Sequence, residues 1–170
     1  MSGPRFCQNF NIVEGFQPVD TQSGANTGDW FSMKLYNHVA VVYMNAAGGL
    51  GGDDSTLTIT QATSVGGGGA KALNFTDIMV KQAATNLQGT GSFTHVTQTA
   101  ANTYTDADSA EEALIWVVEF DAADLDVDNG FCFVRGAVND TGAGGTQPGV
   151  LYYIGCECRY PQDLLPSALT

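Results

Sequence analysis

Hydrophobic residues along the chain fall into short runs, several with a period of two. From Asp29 to Tyr36, Phe31, Met33 and Leu35 point one way while Ser32 and Lys34 point the other, which predicts a half-buried strand. His38–Met44 is continuously apolar and reads as a buried strand. Leu57, Ile59 and Ala62 mark another, with Thr56, Thr58 and Thr60 on its opposite face, where the stiff branched Cβ of threonine suits the pleat. Ala72–Val80, Ser92–Thr97, Phe131–Val138 and Val150–Cys158 complete the set, with Phe93 and His95 on one side of their strand. Ser109–Glu112 matches a capping box, yet Leu114–Phe120 is dense in Ile, Trp, Val and Phe, so any helix there is limited to one turn; Asp121–Asp124 reads as a similar capped turn.

These strands are separated by Gly-, Asn-, Asp- and Thr-rich loops, notably Ala46–Asp54 and Gly66–Gly69. About eight short strands without a long amphipathic helix or a fixed-period repeat predict an all-β, antiparallel β-sandwich, jelly-roll-like. The expected organisation is an extended N-terminal arm over residues 1–28, a sandwich over 29–158 and a C-terminal tail over 159–170, where Pro161 stops the sheet. The arm carries Phe6, Phe10, Phe16 and Pro18 with no sustained period.

Composition narrows the function classes. The 170 residues fit one domain. Net charge is −12 and only 14% of residues are charged, so Thr, Asn, Gln, Ser and Gly must supply most of the polar surface. The six basic residues, Arg5, Lys34, Lys71, Lys81, Arg135 and Arg159, are scattered along the sequence. Nucleic-acid binding needs clustered cations, so neither nucleic acid nor an anionic membrane is an expected partner. No run reaches the ~18 apolar residues of a membrane helix, and the start lacks the apolar stretch of a secretory signal. Cys7, Cys132, Cys156 and Cys158 are therefore expected as free thiols, and the glycosylation patterns at Asn74 and Asn139 as chance.

A search for reactive constellations yields little. Asp124, Asp126 and Asp128 alternate along an extended segment and could share a face around Ca²⁺, but the EF-hand pattern fails at Asn129 and Arg135; a solvated turn with Leu125 and Val127 inward is the simpler expectation. Cys156 and Cys158 have the wrong spacing for a zinc knuckle. His38 and His95 lack a nucleophile elbow, and the glycine runs lack the Lys-Ser/Thr ending of a phosphate loop. Glu111, Glu112 and Glu119 are the carboxylates to consider for glycosidase-type chemistry, whose pairing depends on the fold. Trp30, Trp116, Tyr36, Tyr43, Tyr152 and Tyr153 could form a sugar platform, with core packing the more economical reading. No catalytic residues and no cofactor are expected.

Ala110–Phe120, Asp124–Phe131, Val134–Val138, Leu151–Ile154 and Arg159–Pro161, with Gly15–Asp20 and Gly24–Trp30 near the start, form a pattern that resembles the jelly-roll cement, or decoration, proteins of tailed-bacteriophage capsids. The resemblance implies a non-enzymatic virion protein on the capsid exterior, made in the host cytoplasm. Its partners would be the major capsid protein and itself, as a dimer or trimer. The arms would then cement capsid subunits through Phe6, Phe10, Phe16, Pro18, Tyr160, Leu164 and Leu165. Two other expectations stand beside it: a carbohydrate- or receptor-binding sandwich module of a phage fibre, and a tail-tube or terminator subunit.

Overall fold

The alternating runs pair into two antiparallel sheets packed face to face, the expected all-β sandwich. The computed structural model describes residues 6–48, 50–84, 87–142, 144–159 and Ala168. Its strands, in chain order, are β1 (Phe10–Asp20), β2 (Asn26–Thr27), β3 (Phe31–Ser32), β4 (Tyr36–Asn45), β5 (Thr56–Ala62), β6 (Lys71–Ala72), β7 (Phe75–Ala83), β8 (Thr94–Ala101), β9 (Thr103–Thr105), β10 (Ala113–Asp121), β11 (Phe133–Val138) and β12 (Pro148–Cys158). The larger sheet has the order β1-β12-β4-β10-β7-β8; the smaller runs β2-β11-β5-β6, with β3 also beside β11 and β9 beside β5. Among the described residues no helix is long and apolar enough to cross a membrane.

The core forms where the inward residues of both sheets meet. Val39, Val41 and Tyr43 of β4 and Leu114, Trp116 and Val118 of β10 are all buried against Leu57, Ile59 and Val134 of the smaller sheet. Trp116 ties the layers together: its ring lies edge-on to Tyr104 of β9 at 4.8 Å and tilted against Tyr43 at 5.8 Å. Its indole N–H donates to Gln82 Oε1 at 3.3 Å, so the polar end of the buried ring is satisfied.

Several expectations change. The N-terminal arm does not stand apart from the sandwich: Phe10–Asp20 is an eleven-residue edge strand along β12. Its period was hidden because the register shifts between Glu14 and Phe16 and again between Phe16 and Val19. Pro18 suits an edge, where a missing N–H breaks no ladder. Within Asp29–Tyr36, Phe31–Ser32 pairs as a short strand and Tyr36 opens β4; between them the chain turns, with Tyr36 N donating to Met33 O. The C-terminal tail is anchored at Ala168, which is buried in the core and accepts a hydrogen bond from Ser32 N at 2.7 Å. Ser109–Glu112 forms turns, not a helix; Ser109 is buried and its hydroxyl accepts from Ser55 N. Asp121–Asp124 keeps its expected form, a 3-10 turn in which the Asp124 carboxylate accepts from Asp121 N.

The continuously apolar runs differ most. β4, β10 and β12 bury one face only. On the other, Ala40, Val42, Ile115, Val117, Tyr152 and Ile154 are half-buried, because among the described residues no third layer covers the outer side of the larger sheet.

Candidate functional site

The outer face of the smaller sheet carries the most distinctive polar arrangement. Alternation along β11 turns Val134, Gly136 and Val138 into the core and Phe133, Arg135 and Ala137 outward. Phe133, Trp30 and Ala62 make a second hydrophobic cluster on that outer face, with Cys132 against it. Two cations lie over these rings: the Arg135 guanidinium is 4.4 Å from the Trp30 ring centre and the Lys34 ammonium 5.1 Å from that of Phe133. Neither has a carboxylate within salt-bridge distance among the described residues. Arg135 Nε is also buried without a hydrogen-bond partner.

Arg135 lines a hollow of about 440 Å³ together with Thr27, Gly28, Asp29, Trp30 and Val65. The pairing register extends the polar surface from there. Thr27 lies opposite Ala137, Ala137 opposite Thr58 and Thr58 opposite Thr103, while Arg135 lies opposite Thr60. The threonines expected on the outer side of β5 therefore form a field of hydroxyls beside the guanidinium.

Tyr153 holds the hollow in place from below. Its buried hydroxyl donates to Asp29 O at 2.8 Å and accepts from Gly136 N at 3.0 Å. Gly28 N donates to Gly136 O at 3.0 Å, and a Cβ on Gly28 would come within 2.8 Å of that oxygen and of the Tyr153 hydroxyl. Only glycine lets the 27–30 segment approach β11 so closely.

A second polar cluster lies on the larger sheet. His38 opposes Asp121 across β4 and β10, and its Nδ1 is 2.7 Å from Asp121 Oδ1; Nε2 is 3.5 Å from Glu119 Oε1. Partial burial works to lower the His38 pKa, but the hydrogen bonds and charges of Asp121 and Glu119 outweigh it, and the net shift is upward. A folded-state pKa above the unfolded value stabilises the fold below about pH 6.5, and that contribution is lost as pH rises through the folded value. Replacing His38 by Gln should therefore lower urea stability at pH 5.5 more than at pH 8.5. Equal losses at both pH values would mean that packing, not charge, is what His38 supplies. His95 forms a comparable exposed pair with Asp77 at 2.7 Å. Periodicity alone could not reveal either pair, because each joins residues of different strands.

The remaining sequence candidates are dispersed. Phe6 and Phe10 are exposed and stacked at 4.9 Å, Pro18 is exposed on β1, and Phe16 is partly buried against the main core. Tyr160, Leu164 and Leu165 lie outside the described residues. Asp124 caps its turn, Asp126 is taken by Lys71 and Asn129, and Asp128 is exposed. Val127 faces solvent, not the core as expected, because the segment winds into a 3-10 turn. Among the described residues no group of three or more His, Cys, Asp or Glu side chains is placed to hold a metal ion. Cys7 is exposed, Cys132, Cys156 and Cys158 are half-buried, and no disulfide joins them among the described residues. Trp116, Tyr36, Tyr43 and Tyr153 belong to the core, which leaves Trp30 and Tyr152 as aromatics on outer faces.

No family model matches the chain, and no curated protein matches it. Among solved structures it is similar to alginate lyase A1-II′, a member of polysaccharide lyase family 7, at 13% identity and a TM-score of 0.31, over 75% of this chain and 64% of that one. A product complex of a variant of the family 7 alginate lyase A1-II′ gives 13% identity and a TM-score of 0.29, over 72% of this chain and 64% of the other. The chain thus spans less than two thirds of the length of the lyases it matches. Neither structure is a capsid protein, and the resemblance to phage decoration proteins and the capsid-stabilising role drawn from it are not borne out. Both are enzymes, and the expectation of a protein that is not an enzyme is likewise not borne out.

Proposed function

We propose that the chain binds a carboxylate-bearing saccharide on the outer face of its smaller sheet, with Arg135 as the anchoring group. The observation that carries this reading is the Arg135 guanidinium, stacked on Trp30, lining an open hollow and lacking any acidic partner among the described residues. In a chain of net charge −12, Arg135 is a cation with no salt bridge among the described residues, although Asp29 lines the same hollow. A planar guanidinium fixed by an indole is preorganised to receive a carboxylate through two parallel hydrogen bonds. Asp29 can accept sugar hydroxyls, and the threonine field both donates and accepts. Lys34, over the adjoining Phe133 ring, adds a second positive charge.

Isothermal titration with oligouronates, against neutral oligosaccharides of equal length, tests the proposal. Binding of the acidic series alone is expected. Arg135→Met keeps the apolar stem over Trp30 but removes the fork, and should weaken binding roughly tenfold or more, the equivalent of a charge-assisted hydrogen bond. Arg135→Lys should recover only part of the loss, because an ammonium cannot make the bidentate contact. Equal affinity for neutral and acidic ligands, or full binding by Arg135→Met, would remove the basis of the reading.

A further inference from the structure

We propose that the Gly-rich loops at one end of the sandwich bind a calcium ion between Asp53, Gln22 Oε1 and Gly48 O. Three segments converge there: the 3-10 turn Thr21–Ser23 after β1, the loop that follows β4 and the loop that leads into β12. Thr21 N donates to Gln147 O at 3.0 Å and Thr141 N to Thr21 O at 3.2 Å, which fixes the turn against the last of these loops. Within this frame Asp53 Oδ2 accepts from Gly144 N at 3.1 Å and from Gln22 Nε2 at 3.4 Å. The other polar atom of that amide, Gln22 Oε1, is buried without a hydrogen-bond partner, on a residue only 8% exposed. Turning the amide over would orphan the nitrogen instead and set oxygen against the carboxylate. Glycines keep the space open. A Cβ on Gly142 or Gly144 would collide with the Asp53 carboxylate. One on Gly145 would strike Gly48 O, and Gln22 Oε1 lies 3.7 Å from that same point.

Charge selects a cation as the occupant. Among the described residues the ion pairs engage Asp77, Glu119, Asp121 and Asp126, and none reaches Asp53 or the nearby Asp20, Asp54 and Asp140. Lys34, Lys71, Lys81 and Arg135 lie over aromatic rings elsewhere. Neutral donors serve the neighbouring carboxylates: Gln22 N and Gln147 N bond Asp20, the Ser109 hydroxyl bonds Asp54, and Gly142 N bonds Asp140. Water would satisfy the Gln22 oxygen but leave this negative charge uncompensated. Asn45 Oδ1, also a buried orphan, differs: its amide nitrogen bonds the Ser55 hydroxyl and not a carboxylate. The ligand atoms name the ion. One carboxylate and two neutral carbonyl oxygens are hard donors in an irregular array, which calcium accepts. Magnesium demands near-octahedral geometry and gives up water reluctantly, and zinc is held by nitrogen and sulfur. A single carboxylate, with water completing the shell, places the affinity in the weak class of ~10⁻⁴–10⁻³ M. The site shares no residue with the Arg135 hollow, so either proposal can fail without the other.

Thermal unfolding of the full chain, freed of metal by chelation, tests this. About 10 mM calcium chloride should raise Tm by at least about 3 °C over sodium chloride of equal ionic strength, and magnesium chloride should not. Asp53→Asn should abolish the calcium shift, while Asp128→Asn, an exposed carboxylate of the turn before β11, should keep it. Gln22→Glu separates an ion from a water. It sets a second carboxylate beside Asp53, so Tm should fall without calcium, and calcium affinity by isothermal titration should rise at least about fivefold. Calcium should then recover the lost Tm. Equal shifts with calcium and magnesium, no shift with either, a shift that survives Asp53→Asn, or one that Asp128→Asn removes overturns the proposal. So does a Gln22→Glu variant that loses the same Tm with and without calcium, the result expected of a bound water. Where Asp53→Asn does not fold, Gln22→Glu still decides.

Discussion

Trp116→Ala is expected to cost about 3–5 kcal/mol of folding stability, the range of a large aromatic deleted from a packed core. Trp116 is fully buried, and its ring is the physical link between the sheets. It sits on β10, at the centre of the larger sheet, while Tyr104 comes from β9 at the side of the smaller one. Truncation removes the edge-on contact with Tyr104 and the tilted contact with Tyr43, and it leaves Gln82 Oε1 without its indole donor. Trp116→Phe keeps most of the volume and should lose roughly 1–3 kcal/mol, chiefly from the unfilled remainder and the orphaned Gln82. Urea unfolding followed by circular dichroism measures both. A loss under about 1 kcal/mol for the alanine variant would mean that the two layers are not held together at this point.

How far the fold can be read from the sequence depends on whether its determinants are local. Thr56–Ala62 is legible because β-branched hydroxyl residues alternate with Leu57 and Ile59 without interruption, and its outer threonines are those that flank Arg135. Phe10–Asp20 is illegible because what makes it a strand is non-local: hydrogen bonds to β12, with two register shifts that scramble the period. The continuous apolar run at β4 reads as buried, yet it and the apolar strands β10 and β12 each bury one face only among the described residues. A sequence records that such residues are to be covered but not by what.

The site shows the same division. Trp30, Arg135 and Lys34 are separated by as many as 105 positions, and the basic residues look scattered on paper. Pairing of β11 with β5 and with the short strands β2 and β3 brings them to one surface. The one local signal was the outward parity of Arg135 between inward Val134 and Gly136. Trp30 could be counted among candidate aromatics, but its use as a platform for a cation, not for a sugar ring, follows only from the fold.

Tyr153→Phe should cost about 2–4 kcal/mol while removing a single oxygen atom. That hydroxyl serves two backbone groups at once, Asp29 O and Gly136 N, and Phe would leave both without it in a place water cannot readily reach. Each such orphaned group carries a penalty of about 1–3 kcal/mol. The crowding around Gly28 prevents a simple collapse: the backbone there already lies against Gly136, so the gap cannot close by moving the chain inward. Saccharide affinity should fall together with stability, since Asp29 and Trp30 line the hollow that the hydroxyl fastens to β11. Arg135→Met, by contrast, should reduce affinity with little loss of stability, and the comparison separates building the hollow from contacting the ligand. The variant also has a pH signature. Burial drives the Tyr153 pKa far above the usual tyrosine value, and Tyr43, for the same reason, is pushed up to about 12. A phenol whose folded pKa is raised stabilises the fold fully below the unfolded pKa of about 10, and the contribution is lost as pH climbs beyond it. The parent chain should therefore unfold on the alkaline side, and Tyr153→Phe, less stable at pH 7, should show a shallower decline between pH 10 and 12. Parallel stability curves for the two proteins over that interval would show that the Tyr153 hydroxyl ionises freely and is not held between the sheets.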